Sequence, residues 1–260
     1  RWDDTERAED EVSVLGYPFD RYEQDNIANV AEIRRLLWGL GLKAPAIGFA
    51  GEPYAAFQKV VHARSHILLP YAHSQAKVLR KLKQDKIKTG LPMSLGGTKA
   101  WLRQVGAHLG VADSKVDKLI RHETGRIKQR FELAHRKLRG RRFAVFAEAP
   151  RAAGIVATLM EAGMVPVTIG VLHFSLGGRA EVEEILRDHH GLEVPDFVRW
   201  LENPTPMQLR ALTERSRGKA PDRRDDNQDD DQEDRDRERE DGPPVEVGFE
   251  HADVAIGTAI

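Results

Sequence analysis

Arg142-Phe-Ala-Val-Phe-Ala147 and Val165-Pro-Val-Thr-Ile-Gly170 are two short, almost wholly apolar runs, and the interval between them decides the fold. A strand that alternates in polarity lies half in water; one that is apolar throughout is covered on both faces, as in a parallel sheet. The interval fits a crossover helix. Pro150 suits a first helical turn, where its missing N–H costs nothing, the pattern runs through Leu159 to Ala162, and Gly163 supplies the stop. Strand, helix and strand in this order predict a parallel βαβ unit.

Upstream, the same rhythm recurs. Val12 to Gly16 reads as a strand. Ile27, Val30, Ile33, Leu36, Leu37 and Leu40 follow a helical period that Gly41 ends. Ala46 to Phe49 is a second strand, Gly51-Glu-Pro-Tyr54 a turn, and 55–63 a helix. His66 to Leu69 is a third strand, ended by Pro70 and followed by a helix over 74–83. Gly90 to Gly97 reads as a loop, with Thr98 as the N-cap of a helix that carries Leu102, Val105 and Leu109 on one face. Residues 114–138 form one long amphipathic helix with the stripe Val116, Leu119, Ile120, Ile127, Phe131, Ala134 and Leu138. Its length suits a bridge better than an ordinary crossover.

Downstream, 180–190 is helical, 195–202 and 205–216 read as short helices, and Asp253 to Gly257 as a last strand. Pro221 to Asp241 holds twelve acids, five arginines and no apolar side chain but its proline. Such a stretch buries too little surface to offset its ordering entropy, so it reads as a disordered insertion. The expected fold class is α/β: two doubly wound parallel-sheet (Rossmann-like) lobes joined by a long helix. The boundaries are 1–112 for the first lobe, 113–140 for the bridging helix and 141–260 for the second, with the insertion at 221–241. Arg1 in place of an initiator methionine, and a strand close to Ile260, suggest a piece of a longer protein with an incomplete second lobe.

Apolar residues make up 40% of 260, enough for a core in each lobe. The formal net charge of −1 gives no overall bias toward nucleic acid or membrane. No apolar run approaches the roughly 18 residues of a membrane span, and the start does not read as a signal peptide. A cytoplasmic location is expected. The chain has no cysteine, which excludes disulfides, thiolate nucleophiles and a cysteine-ligated cluster held by this chain alone.

Familiar catalytic motifs are absent. There is no G-x-G-x-x-G after either first strand, no P-loop, no H-E-x-x-H and no nucleophile elbow. No metal ligands are assigned. Position supplies the candidates instead, because ligands of open α/β sheets bind beyond the carboxyl ends of the strands. His73 and His173 each follow such an end, and Tyr71 shares the position of His73. Glu148 opens the first turn of the second lobe, at a helix N-terminus. The loop Leu91-Pro92-Met-Ser-Leu-Gly96-Gly97-Thr98 offers glycines that permit close backbone approach. His189 and His190 sit at a helix end, where a cation suits the dipole. His122 and His135 read as surface residues.

Several stretches, taken in order, resemble one known family: Leu36-Leu-Trp-Gly-Leu-Gly41, Gly48-Phe-Ala-Gly51, His66-Ile-Leu-Leu-Pro-Tyr-Ala-His-Ser74, Leu91 to Leu102, Arg121-His-Glu-Thr-Gly-Arg126, Gly140 to Pro150 and Leu159-Met-Glu-Ala-Gly-Met164. Their order and spacing resemble the middle and C-terminal lobes of the nitrogenase component 1 family. That family includes nitrogenase molybdenum–iron subunits, cofactor-assembly scaffolds, and protochlorophyllide and chlorophyllide reductases. The resemblance implies an oxidoreductase subunit in a heterooligomer. Its partners would be a homologous component 1 subunit and an ATP-dependent iron protein that delivers electrons through an iron–sulfur cluster in the complete complex. It places Gly51, Tyr54, Tyr71, Pro92, Gly96, Gly97, Thr98, Glu148 and His173 along an interlobe cavity, with His73 as the candidate catalytic proton donor. It puts Pro70 about where the catalytic nitrogenase subunit has its cofactor-ligating cysteine, which argues for a tetrapyrrole-type rather than a dinitrogen reductase. The alternative expectation is a noncatalytic binding or cofactor-assembly scaffold on the same fold.

Overall fold

The structure is a computed structural model, and it describes residues 8–16, 26–48, 53–172, 178–205, 207–208 and 245–247. The first half runs β1 (Ala8–Leu15), α1 (Asn26–Gly39), β2 (Lys43–Ile47), α2 (Tyr54–Phe57), β3 (Ala63–Leu68), α3 (Ala76–Lys81), β4 (Lys86–Lys88) and α4 (Leu95–His108). The long helix α5 (Asp113–Leu138) leads into β5 (Arg142–Glu148), α6 (Ala149–Glu161), β6 (Val165–Leu172), α7 (Gly178–Ile185), β7 (Arg199–Glu202) and β8 (Val245–Val247). Two four-stranded sheets result, ordered β2-β1-β3-β4 and β7-β6-β5-β8. Every strand pair among the described residues is parallel. The α/β class with two wound parallel sheets is therefore the observed architecture.

The central strands are apolar because both faces are covered. Val12 and Val14 in β1, Ile67 and Leu68 in β3, and Phe143 and Val145 in β5 are almost fully buried. The stripe of α1 (Val30, Ile33, Leu36, Leu37) seals one face of the first sheet. One continuous hydrophobic cluster runs from the first sheet through α4 and α5 into α6 and the second sheet. Gly154 lies mid-helix in α6, where glycine weakens a helix. A Cβ there would lie 2.5 Å from Sδ of Met93, so the missing side chain lets the loop before α4 seat against α6.

The long helix ties the halves. Its buried residues are Val116, Ile120, Glu123 and Ile127. Glu123 accepts hydrogen bonds from Nη1 and Nη2 of Arg35 on α1, at 2.8 and 2.7 Å, and from Nη1 of Arg126 at 2.7 Å. Burial raises the carboxyl pKa, but Arg35, His122 and Arg126 together outweigh it and leave the group at about 2. At the other end, His135 lies close against Gly163, beyond α6. His135 is thus half-buried rather than a surface residue, while His122 is exposed as expected.

Several sequence expectations need correction. The N-cap of α4 is Ser94, not Thr98: the Ser94 hydroxyl accepts from the Gly97 amide at 3.0 Å, and the helix starts at Leu95. Thr98 is in the first turn and donates to the Pro92 carbonyl at 3.0 Å. The helix expected over 55–63 is one turn of α2 followed by a 3-10 turn, Gln58–His62, and that over 74–83 shortens to α3 behind the 3-10 turn Pro70–Gln75. Strand β4 was not expected; it is three residues long and its register exists only against β3. The stretch 195–202 holds a strand, β7, instead of a helix. Trp200 and Leu201 have no strong local preference against helix, but β6 offers an open edge that pairs Thr168 with Arg199 and Gly170 with Leu201. Thr205 caps Gln208. The rest of 205–216, the acidic stretch 221–241 and Asp253–Gly257 lie outside the described residues; the fourth strand of the second sheet is Val245–Val247.

Candidate functional site

A hydrogen bond joins the carboxyl ends of the two sheets. Tyr71 stands in the 3-10 turn just beyond β3, and Glu148 ends β5. The Tyr71 hydroxyl donates to Oε1 of Glu148 at 2.7 Å. Nε of Arg151, in the first turn of α6, lies 3.8 Å from the same oxygen and is almost fully buried. A phenol, a carboxylate and a guanidinium thus share one edge, where open α/β sheets present their ligand crevice.

His73 follows Tyr71 by two residues and is half-buried. Its Nε2 lies 3.0 Å from the Thr89 carbonyl, which can only accept, so the proton is assigned to Nε2. Burial lowers its pKa, the Thr89 carbonyl opposes that, and Lys88 and His189 lower it further. The imidazole is therefore neutral around pH 7 and carries one N–H that points at a carbonyl. Thr89 anchors this corner twice more: it receives Nε1–H of Trp101 on its hydroxyl at 3.1 Å, and its amide donates to Leu68 at 2.8 Å.

The loop before α4 faces the second half of the chain. Glu161, the last residue of α6, places its carboxylate on the amides of Leu95 and Gly96 at 2.7 and 2.8 Å. The Ser94 hydroxyl donates to Glu161 at 3.1 Å and sits 3.1 Å from Nδ1 of His190. With the hydroxyl proton on Glu161, Nδ1 of His190 is the donor, and Ser94 is fully satisfied. A Cβ on Gly97 would lie 2.5 Å from Cε1 of His190, and one on Gly96 2.8 Å from Oε1 of Glu161. The glycines thus admit Glu161 and His190. His190 was expected as a cation on a helix dipole. Burial, with His189 adding to it, instead lowers its pKa to about 4, so it is neutral.

Of the sequence candidates, Tyr71 and Glu148 are brought into contact, with His73 beside Tyr71 in sequence. Pro92, Gly96, Gly97 and Thr98 gather at the α4 N-terminus against Glu161 and His190, and Thr98 also lines a slot between α4 and α5 of about 20 Å³, room for about one water. Tyr54 is 75% exposed on α2. Gly51 and His173 lie outside the described residues. Sequence reading assigns no site role to Glu161 or Arg151, reads His190 only as a helix-end cation, and places the cap at Thr98 instead of Ser94. Ser94, a hydroxyl residue three before Gly97, carried a capping signal; Glu161 carried none, since only the packing of α6 on α4 brings it there. Among the described residues no three His, Asp or Glu side chains gather to hold a metal, and no helix is long and apolar enough to cross a membrane.

Comparison with solved structures finds the same fold in "Nitrogenase Cp1 at pH 5" (TM-score 0.61, 14% identity, covering 82% of this chain and 47% of that one) and in "Nitrogenase Cp1 at pH 6.5" (TM-score 0.60, 13% identity, covering 82% and 50%). The chain spans about half the length of these nitrogenase chains. No curated protein matches it. The sequence profile of the nitrogenase component 1 type oxidoreductases matches residues 3–218. That match takes in both sheets as far as β7, so the chain belongs to the nitrogenase component 1 type oxidoreductase family.

Proposed function

We propose that this chain forms part of a component 1-type subunit in a two-component reductase, and that its two sheets wall a cavity for substrate or cofactor. The observation that carries this reading is the family match over residues 3–218, with Tyr71 and Glu148 joined at the carboxyl edges of both sheets. The proposed inner wall is Tyr71, His73 and Glu148, with Tyr54 and the Pro92–Thr98 loop extending it. His73 is the proton donor to the reduced substrate: the ring takes up a proton from solvent as imidazolium, passes that proton on and returns to the neutral imidazole, and its lowered pKa makes the protonated form a ready acid. A homologous component 1 subunit and an ATP-dependent iron protein complete the cytoplasmic machine.

The residues of this chain do not fit an iron–sulfur cluster. It has no cysteine, and among the described residues no three potential ligands converge. Cluster thiolates therefore come from other polypeptide, and no step is assigned to a cluster on this chain. Pro70 stands at the start of the turn that carries Tyr71 and His73, and cannot ligate metal. This favours a tetrapyrrole-type substrate over dinitrogen. The absence of cysteine equally favours a noncatalytic scaffold on this fold as the second reading.

Co-expression with the adjoining coding sequence and neighbouring genes, followed by iron analysis and turnover with a reduced iron protein, separates these readings. The reductase predicts iron in the assembly and electron uptake. Iron-free assemblies of every composition would overturn it, and iron without turnover would favour the scaffold.

A further inference from the structure

The net charge of −1 conceals two opposite segments. Between residues 113 and 142, spanning α5 and the turn into β5, eleven lysines and arginines face four acids. All eleven are exposed. One of the four acids, Glu123, is buried beneath the helix, and Asp117 and Glu132 pair with Arg103 and Lys128. The exposed side thus keeps a cationic excess along about 39 Å of helix, including Lys115, Lys118, Arg121 and Lys137, and Arg139 and Arg141 continue it into the turn after the helix. Gly125 leaves open space near the centre of that face. Between 221 and 241, twelve acids oppose five arginines, an excess of the same size and opposite sign. Outside these two segments the chain carries a net −1.

Topology places the two together. Strand β8 begins at Val245 and pairs in parallel with β5, Val245 beside Phe143. Parallel strands enter a sheet from the same edge, so β8 is entered where Arg139–Arg142 leads α5 into β5. Asp241 is four residues from Val245, a reach of at most about 14 Å. The acidic stretch is thereby tethered beside the C-terminal end of the cationic face. Twenty residues can extend roughly 70 Å, more than the length of α5. Such a tether raises the local concentration of the acidic residues to the order of millimolar.

We propose that the exposed face of α5, with the Arg139–Arg142 turn, is a docking surface for the acidic stretch 221–241 of the same chain. Pairs between exposed charges are individually weak and screened by salt, so the contact rests on many pairs and on the tether. It goes beyond the reductase reading and does not depend on it.

Zero-length carboxyl–amine crosslinking of the full chain, mapped by mass spectrometry, tests this. At 20 mM salt, links should join Lys115, Lys118, Lys128 or Lys137 to acids of 221–241, and their yield should fall at least tenfold at 500 mM. In a mixture of isotopically light and heavy protein the links should stay within one label. Changing the twelve acids to Asn and Gln at constant length should abolish them. A synthetic 221–241 peptide should then bind the neutralised chain, and a K118E/R121E/K137E version of it should not. These side chains are exposed, and circular dichroism is to check that each variant folds. Absence of α5 links at low salt, mixed-label links, or equal binding of a DNA oligonucleotide to intact and neutralised chains would overturn the proposal.

Discussion

Glu161 shows how much one side chain can fix. Its carboxylate takes two backbone amides at the start of α4 and the Ser94 hydroxyl, donors that a helix N-terminus otherwise leaves to water. Hydrogen bonds to a charged group are worth about 1.5–3 kcal/mol. Glu161→Ala should therefore lower unfolding free energy in urea by about 2 kcal/mol, and Glu161→Gln by less, because an amide oxygen still accepts. His190 gives a pH signature. Its folded pKa, about 4, is below the ordinary 6.5, so the unfolded chain takes up the proton first as pH falls. Its contribution is present above pH 6.5 and is lost between 6.5 and 4, on the order of 3 kcal/mol in all. A denaturation series across that range should show the slope in the native chain and a flatter one in His190→Gln.

At the scale of elements, α5 is held by a buried carboxylate as much as by its apolar stripe. Removing one partner of a buried, hydrogen-bonded ion pair costs about 3–5 kcal/mol when the other charge stays buried. Arg35 is about one third exposed and keeps Glu32, so Glu123→Ala should cost nearer 2 kcal/mol, read as a lower urea midpoint. The sign with pH follows from a folded pKa of about 2 against an ordinary 4.5. The contribution is full above pH 4.5 and disappears as pH falls toward 2, so the mutant should lose less stability over that acid range. Helix α6 carries the other join, through Met93 on Gly154 and Glu161 on α4.

For the whole molecule, the Tyr71–Glu148 contact is where fold and proposed chemistry coincide. Tyr71 is 39% exposed, so Tyr71→Phe should change stability by less than about 1 kcal/mol. In the complete complex it should nonetheless slow reduction if that edge faces the substrate. His73→Ala should slow it by on the order of 100-fold, the usual scale of a lost general acid, with little change in substrate affinity. Single-turnover measurements with pre-reduced complex would show this, and unchanged turnover in both variants would move the reaction away from this edge.

The two parallel sheets were legible in the sequence because their central strands are buried on both faces, and an apolar run such as Arg142–Ala147 has few other structures open to it. The helical periods of α1, α4 and α5 were legible for the same reason: one face of each meets the core. Tertiary structure alone decided the rest. Strands β4 and β7 are too short to carry a pattern and exist because β3 and β6 offer open edges. The loop at Leu91–Thr98 announced close approach through its glycines, but not what approaches; Glu161 and His190 stand 63 or more residues downstream. Periodicity records which side of a segment is buried. It does not record which distant side chain supplies the partner, and only the fold could bury His190 in its neutral form, bring Glu161 to the α4 amides and set Tyr71 against Glu148.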